Sequence, residues 1–353
     1  MKLSDLGERR IITDLLYPRY AAREGRRYYE DCALLDIGNG QILAVTTDPC
    51  PKPMAYMLGE TDPYYYGWLL ATINLSDLAA VGAQPLTLLT SLIAPADMPV
   101  ADFSRLLDGV DDACQQANTK VGGGNIKEGP DLQCSATGVG LCVAGRELRR
   151  GGARPGDLLL VIGELGDFWA FALNRLRALG VPDAPLERGR RNVLTPTARI
   201  REGLALAELG RVTSCMDNSD GLYACAKELA NANELSVVLD FRSAKFSDGV
   251  VEVATRLGIR PHRLALGWGD WQLVITANPA DLDIIVKTIS EAGGAEVHVV
   301  GRTERGLPQV LFDNGQSVAE MYPLDSERFV ADSWFSAGID VYVEQLIEGD
   351  DCI

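Results

Sequence analysis

Apolar and polar positions along the chain follow two periods. Residues 32–35 and 41–47 are apolar and β-branched, with Gly38-Asn39-Gly40 between them. That pattern predicts a β-hairpin. Residues 64–82 follow the three-and-four spacing of a helix, which places Leu70, Ile73, Asn74, Asp77 and Val81 on one face. Gly82 and Pro85 are expected to stop it. A strand is predicted over 86–94, an amphipathic helix over 102–117 and a long strand over 132–143. Between the last two, Gly122-Gly123-Gly124 reads as a sharp loop.

The Arg-, Gly- and Pro-rich segment 149–156 reads as a domain boundary. It divides the chain into residues 1–148 and 149–353. Beyond it, strands are predicted over 157–162, 212–216, 235–241, 271–276, 295–302 and 309–312. Helices are predicted over 167–179, with Asp167 as its cap, and over 195–209, 249–257 and 280–292. Another helix follows Gly221 and runs to Ala232, and residues 322–353 read as an aromatic, acidic tail. The mixture predicts an α/β (α+β) fold whose sheets are covered on one side by helices.

Composition narrows the function. The 353 residues carry 49 Asp plus Glu against 33 Lys plus Arg, a formal charge of −16. No long basic stripe is present, which argues against nucleic acid and against an anionic membrane surface as partners. No stretch is apolar enough to span a bilayer, because Asp77 interrupts the best one. The N-terminus lacks the apolar core of a signal peptide. The 8 cysteines form no C-x-x-C pair and read as reduced thiols, so a cytoplasmic protein is expected. With 2 histidines, a zinc site is not expected.

Four acidic stations remain: Glu30-Asp31 before an apolar run, Asp48 at a strand end, Asp77 inside the most apolar helix, and Asp217-x-Ser219-Asp220-Gly221 at a strand-to-helix turn. Acids at strand ends are usually solvated, and Ser219 or Asp220 alone is a common helix cap. Asp77 differs, since a carboxylate on an apolar helix face costs several kcal/mol unless it is paired or metal-bound. Hard cations such as Mg²⁺ take carboxylate and phosphate oxygens, so acids gathered from separate turns suit Mg²⁺ on a nucleotide triphosphate. There is no Walker Lys-Ser/Thr and no G-x-G-x-x-G fingerprint.

Residues 74–83 (NLSDLAAVGA) resemble the NLSDLAAMGA helix of thiamine-monophosphate kinases. Other motifs follow in family order along nearly the whole chain. They are EDCALL at 30–35, TTD at 46–48, GGN at 123–125, GARPGD at 152–157, DNSDGL at 217–222 and GWGDWQL at 267–273, with Trp334 and Gly338-Ile339-Asp340 near the end. The resemblance extends to the superfamily of aminoimidazole ribonucleotide synthetase. It implies a PurM-like two-domain fold, with the N-terminal sheet pairing in a homodimer and a C-terminal α/β domain. It also implies ATP as co-substrate, Mg²⁺ and a small-molecule acceptor. Asp31, Asp48, Asp77, Asp217 and Asp220 would hold the metal, with Asp77, Asp217 and Asp220 as the catalytic set. Gly123, Gly124, Asn125, Arg146, Arg149 and Ser219 would serve the nucleotide, and Trp268, Asp270, Trp271 and Trp334 the acceptor. The tryptophans read equally as core packing.

The chain departs from the family pattern at metal-side as well as acceptor-side positions. Asn125 replaces an Asp, Glu30 stands for the first Asp of a GDD pair, and Gln272 replaces a carboxylate. The resemblance implies a Mg²⁺-ATP-dependent phosphotransferase like thiamine-monophosphate kinase, with thiamine phosphate or a different small molecule as its acceptor. ATP-dependent activation of an amide oxygen, and a catalytically degenerate nucleotide-binding paralogue, are the rival classes. A kinase releases ADP and a phosphorylated product, whereas amide activation leaves free phosphate.

Overall fold

The structure, a computed structural model, describes residues 1–20, 28–324, 328–330, 338–349 and 351–352. In chain order the elements begin with the short helix α1 (Glu8–Arg10), then β1 (Ala33–Gly38), β2 (Gln41–Pro49), α2 (Met54–Met57), α3 (Pro63–Ala80), β3 (Gln84–Ala94), α4 (Val100–Gln116), β4 (Val121–Glu128) and β5 (Gln133–Val143). The second half adds β6 (Leu158–Ile162), α5 (Asp167–Leu176), α6 (Glu187–Leu194), α7 (Ile200–Leu209), β7 (Val212–Asp217), α8 (Leu222–Asn233) and β8 (Ser236–Leu239). It closes with α9 (Asp248–Leu257), α10 (His262–Ala265), β9 (Leu273–Ala277), α11 (Leu282–Ala292), β10 (Val297–Glu304), β11 (Gln309–Asp313), β12 (Val318–Glu320) and α12 (Ile339–Glu348).

Two mixed sheets result. The first has the order β1-β2-β5-β3-β4 and the second β12-β11-β8-β10-β6-β9-β7. The 33–49 hairpin forms as its pattern predicts, with Ala33 opposite Val45 and Leu35 opposite Leu43. β3 and β4 run parallel, so a crossover must join them, and α4 supplies it.

Several sequence expectations change, among them that residues 322–353 form only a tail, since α12 lies within them. Gly122–Gly124 is not a loop: it lies in β4, with Gly123 beside Leu89 and Gly124 beside Thr90. The second sheet is covered on both faces, not one. Leu159, Val161 and Val274 point into a core shared with α5, α8 and α9. Leu160, Ile162 and Ile275 point the other way, into a core shared with α3, α7 and α11. The runs LLLVI and LVITA are uninterrupted because strands buried on both faces need no polar alternation. Asp167 does not cap α5: Gly166 holds that place, while the Asp167 carboxylate accepts from Ser247 Oγ at 2.7 Å.

Helix α3 joins the two halves. Pro63 starts it and the Asp62 side chain caps it by accepting from the Tyr64 N–H at 2.9 Å. From Leu70 to Ala80 every residue of this helix is buried. It packs against the first sheet on one side and against β7 and α7 on the other. Glycines permit both approaches. A Cβ on Gly138 of β5 would sit 3.2 Å from the Asn74 carbonyl, and one on Gly203 of α7 would sit 2.2 Å from that of Ala79. Burial all round removes the one-faced pattern read from sequence and places Asn74, Ser76 and Asp77 between the two sheets' ends.

Candidate active site

Three carboxylates from three separate segments converge. Asp31 precedes β1, Asp77 lies in α3 and Asp217 ends β7. Each offers an oxygen within 4.8 Å of the others. The sequence around each acid holds it in place. Thr46 Oγ1 on β2 donates to Asp77 Oδ2 at 2.5 Å. Ser76 Oγ donates to Asp217 Oδ2 at 2.8 Å, and Ser219 Oγ to Asp217 Oδ1 at 3.3 Å. Asn74 Oδ1 accepts the Asp48 N–H at 3.2 Å, which fastens the end of β2 to α3.

Arg150 supplies the counter-charge. Its Nη2 donates to Asp31 Oδ1 at 2.5 Å, and its backbone N–H donates to Glu30 Oε2 at 2.8 Å. Asn233 fixes the segment around it. Its amide oxygen accepts the N–H groups of Gly152 and Ala153, and its amide nitrogen donates to the Arg150 carbonyl. Asp31 Oδ2, in contrast, is buried with no hydrogen-bond partner among the described residues.

Among the described residues, Arg150 is the one cation paired directly with these three buried carboxylates, so burial and mutual repulsion raise the proton affinities of Asp77 and Asp217. Burial pushes the Asp217 carboxyl up to about 8, with the Asp31 charge adding to the rise. Burial, then Asp217 and Asp48, hold Asp77 well above the usual carboxylate range. Burial likewise raises Asp48 to about 6. Burying a carboxylate without a partner costs several kcal/mol. A cluster of oxygen donors with one buried oxygen left open therefore fits a hard divalent cation, and fits no soft one.

A cavity of about 260 Å³ opens beside the cluster. Asp48, Asp77, Ser219 and Asp220 line one part of it. Met54, Ile73, Phe168, Trp268 and Trp271 contribute apolar and aromatic surface, and Lys52 and Arg328 contribute positive charge. Of the acids singled out in the sequence, Asp31, Asp77 and Asp217 thus meet directly, while Asp48 and Asp220 face the adjoining cavity. Trp268 and Trp271 line that cavity, and both also pack against the hydrophobic cores.

Other expected residues lie elsewhere. Gly123, Gly124 and Asn125 sit on the exposed edge strand β4, and Asn125 Oδ1 accepts the N–H of its neighbour Ile126. They do not line the cavity. Arg146 donates to the Glu208 carbonyl. Arg149 pairs with Glu147 at 2.8 Å and lies 3.6 Å from Glu30. The basic side chain on the cluster is Arg150, which the sequence reading passed over. The run Arg149-Arg150 offers two adjacent cations, and only the backbone direction before β6 decides which turns inward. Asp270 is buried and faces away from the cavity. Neither of its oxygens has a hydrogen-bond partner among the described residues, and burial followed by the charges of Asp167 and Glu164 raises its carboxyl well above the ordinary range. Gln272 is buried too, and its Oε1 accepts from Asn218 Nδ2 at 3.0 Å, which braces the turn after Asp217. Trp334 lies outside the described residues.

Comparison with known proteins gives the family. Residues 29–142 match the AIR synthase related protein N-terminal domain, and residues 154–312 match the AIR synthase related protein C-terminal domain. The thiamine-monophosphate kinase of Escherichia coli K12 is 34% identical over 224 residues, covering 63% of this chain and 67% of that one. The thiamine-monophosphate kinase of Pyrococcus abyssi is 28% identical over 322 residues, covering 88% of this chain and 92% of that one. The solved structure of AaThiL complexed with AMPPCP and TMP superposes with a TM-score of 0.75 at 28% identity, covering 90% of this chain and 96% of that one. The chain has the PurM-like two-domain α/β fold and belongs to the thiamine-monophosphate kinase family of AIR synthase related proteins, as an ATP-dependent kinase.

Proposed function

We propose that the protein transfers the γ-phosphoryl group of ATP to the phosphate of thiamine monophosphate, giving thiamine diphosphate and ADP. The observation that carries this reading is the cavity itself: carboxylates bound it on one part, and Phe168, Trp268 and Trp271 supply an aromatic surface on another. An aromatic heterocycle with a phosphate tail uses both. The acceptor phosphate is already ionised at neutral pH, so no strong general base is needed. Neither of the chain's two histidines lines the cavity. His262 bonds to Asp351 and His298 lies beside Glu296. In the transfer, an acceptor phosphate oxygen forms the new bond to the γ-phosphorus as the bond to the β–γ bridging oxygen breaks, and ADP carries that electron pair away. The side chains align the two phosphates and compensate their charge.

Asp31, Asp77 and Asp217 would hold Mg²⁺, with Asp48 and Asp220 towards the cavity. The ion would supply neutralisation of the charge that builds on the phosphate oxygens. Ser219 would assist on the nucleotide side, with Arg150 as the nearby cation. Residues 1–148 are read as the metal, nucleotide and dimerisation part and residues 149–353 as the C-terminal domain.

A homodimer is part of the proposal. Helices α3 and α4 cover one face of the first sheet, while Leu35, Ile37, Leu86, Leu89 and Val143 are exposed on this sheet, at 41% to 62%. An apolar sheet face of that kind is normally covered. Light scattering is expected to give twice the 38.1 kDa chain mass; a mass of one chain at micromolar concentration would remove the dimer from the proposal.

The direct test is incubation with Mg²⁺-ATP and thiamine monophosphate. Thiamine diphosphate and ADP are expected in equal amounts. No thiamine diphosphate at millimolar acceptor would overturn the acceptor and leave the family unchanged. Free phosphate with a condensed product would favour amide activation instead.

A further inference from the structure

Residues 267–271 form the aromatic wall of the cavity, yet they belong to no strand or helix. Gly269 and Trp271 both take positive φ, at 97° and 48°. Such a segment has no ladder of its own, so its position depends on what its backbone groups bond to. On one side the turn after Asp217 holds it. Gly269 N–H donates to the Ser219 carbonyl at 3.2 Å, and Trp271 N–H to the Asn218 carbonyl at 3.3 Å. At Trp268 itself two side chains hold the backbone from two different helices. Trp169 Nε1 on α5 donates to the Trp268 carbonyl at 2.8 Å, and the Trp268 N–H donates to Tyr342 Oη on α12 at 3.2 Å.

Tyr342 is 1% exposed. Its ring centroid lies 5.3 Å from that of Trp169 and 5.9 Å from that of Trp268. Helix α12 is tied down in its turn. Arg263 Nε donates to the Leu346 carbonyl at 3.0 Å and its Nη2 to the Gln345 carbonyl at 2.7 Å, so one buried guanidinium bonds two carbonyls in the helix's last turn. Asp351, just beyond, meets His262 at 3.0 Å and Arg263 at 3.5 Å. The C-terminal helix is therefore clamped to residues 262–263, five residues before Trp268.

We propose that Tyr342 is a positioning residue for acceptor recognition: its phenol and ring fix Trp268, so that the C-terminal helix sets the aromatic wall of the cavity without touching the acceptor itself. The proposal rests on the reading of this cavity as the acceptor site. It assigns a role to a helix that the composition presented as a tail.

Tyr342→Phe keeps the ring packing and removes the bond to the Trp268 N–H. The KM for thiamine monophosphate is expected to rise about five- to tenfold, the size of one lost internal hydrogen bond, with the KM for ATP unchanged. Acrylamide quenching of tryptophan fluorescence is expected to rise in the same variant, and that increment is expected to vanish when Trp268→Phe is added. Tyr342→Leu should enlarge both effects; if it does not fold, Tyr342→Phe decides alone. Unchanged quenching and unchanged acceptor KM with only a lower melting temperature would overturn the role. Equal rises in both KM values would overturn it as well, since they mean general distortion. If the native protein makes no thiamine diphosphate, the acceptor reading fails, and the quenching pair still decides whether Tyr342 holds Trp268.

Discussion

Replacing Asp217 with asparagine is expected to lower phosphoryl transfer about 10³-fold, the scale of losing one preorganised charge-handling group, and to raise the melting temperature of the metal-free protein. The two effects have one cause. Asp217 is buried, its carboxyl is lifted to about 8 from an ordinary 3.8, and its neighbours Asp77 and Asp31 are also acids. Without a cation the folded state therefore holds a proton that the unfolded chain releases near pH 4. The stability from that proton is fully present below about pH 4 and is lost as pH rises through about 8, at about 1.4 kcal/mol per pH unit per proton. The asparagine side chain carries no charge to repel and can still accept the Ser76 hydroxyl. The variant should therefore melt higher than wild type at pH 8, and its melting temperature should fall less between pH 6 and pH 9. Kinetics at saturating Mg²⁺-ATP and a pH series of metal-free melts check the two halves. Turnover above a tenth of wild type would separate the cluster from the chemistry, and a steeper pH dependence in the variant would contradict the electrostatic account.

How much of this was legible in the sequence depended on whether a residue's role was local. Asp77 was legible because it is the only charge in an apolar helical run, and nothing local could satisfy it. The hairpin around Gly38-Asn39-Gly40 was legible because turn and strand signals are neighbours. Strand β4 was not, since three consecutive glycines carry no side chains to show a period and only pairing with β3 makes them extended. Helix α6 was missed because ERGRRNVL has only Val193 and Leu194 to bury beside Gly189. Helix α12 was misread although Ile339, Tyr342, Val343 and Leu346 have helical spacing, because acids around them gave the segment a tail-like composition. The direction of Asp270 was hidden for a different reason. Positive φ at Gly269 and Trp271 turns the segment, so Trp268 and Trp271 face the cavity while the carboxylate between them faces Glu164 and Asp167. Motif order identified the segment, and backbone conformation decided which of its side chains face the cavity.

Mg²⁺ with AMPPCP should stabilise the protein, and the shift should grow with pH. A ligand at a hundredfold excess over its Kd adds about 2.7 kcal/mol to stability. For a chain of this size that is roughly 4 °C in melting temperature. The pH dependence follows from the same cluster. At pH 6 protons already neutralise Asp217 and part of Asp48, and a cation must displace them to bind. At pH 8 fewer protons compete, and the metal-free reference is also weaker because its carboxylates repel. Both changes act in one direction, so the shift at pH 8 should exceed that at pH 6, and Asp217→Asn should shrink the difference. AMPPCP without Mg²⁺ should stabilise less, because it brings phosphate charge towards Asp48 and Asp220, with Lys52, Arg328 and Arg150 the nearby cations among the described residues. Thermal melts with nucleotide alone, with Mg²⁺ alone and with both, at the two pH values, measure every part of this. A shift of equal size at both pH values would mean that the cation binds away from these carboxylates. The acid cluster would then be a buried liability stabilised by protons and Arg150, and the metal's place would have to be sought among the exposed acids.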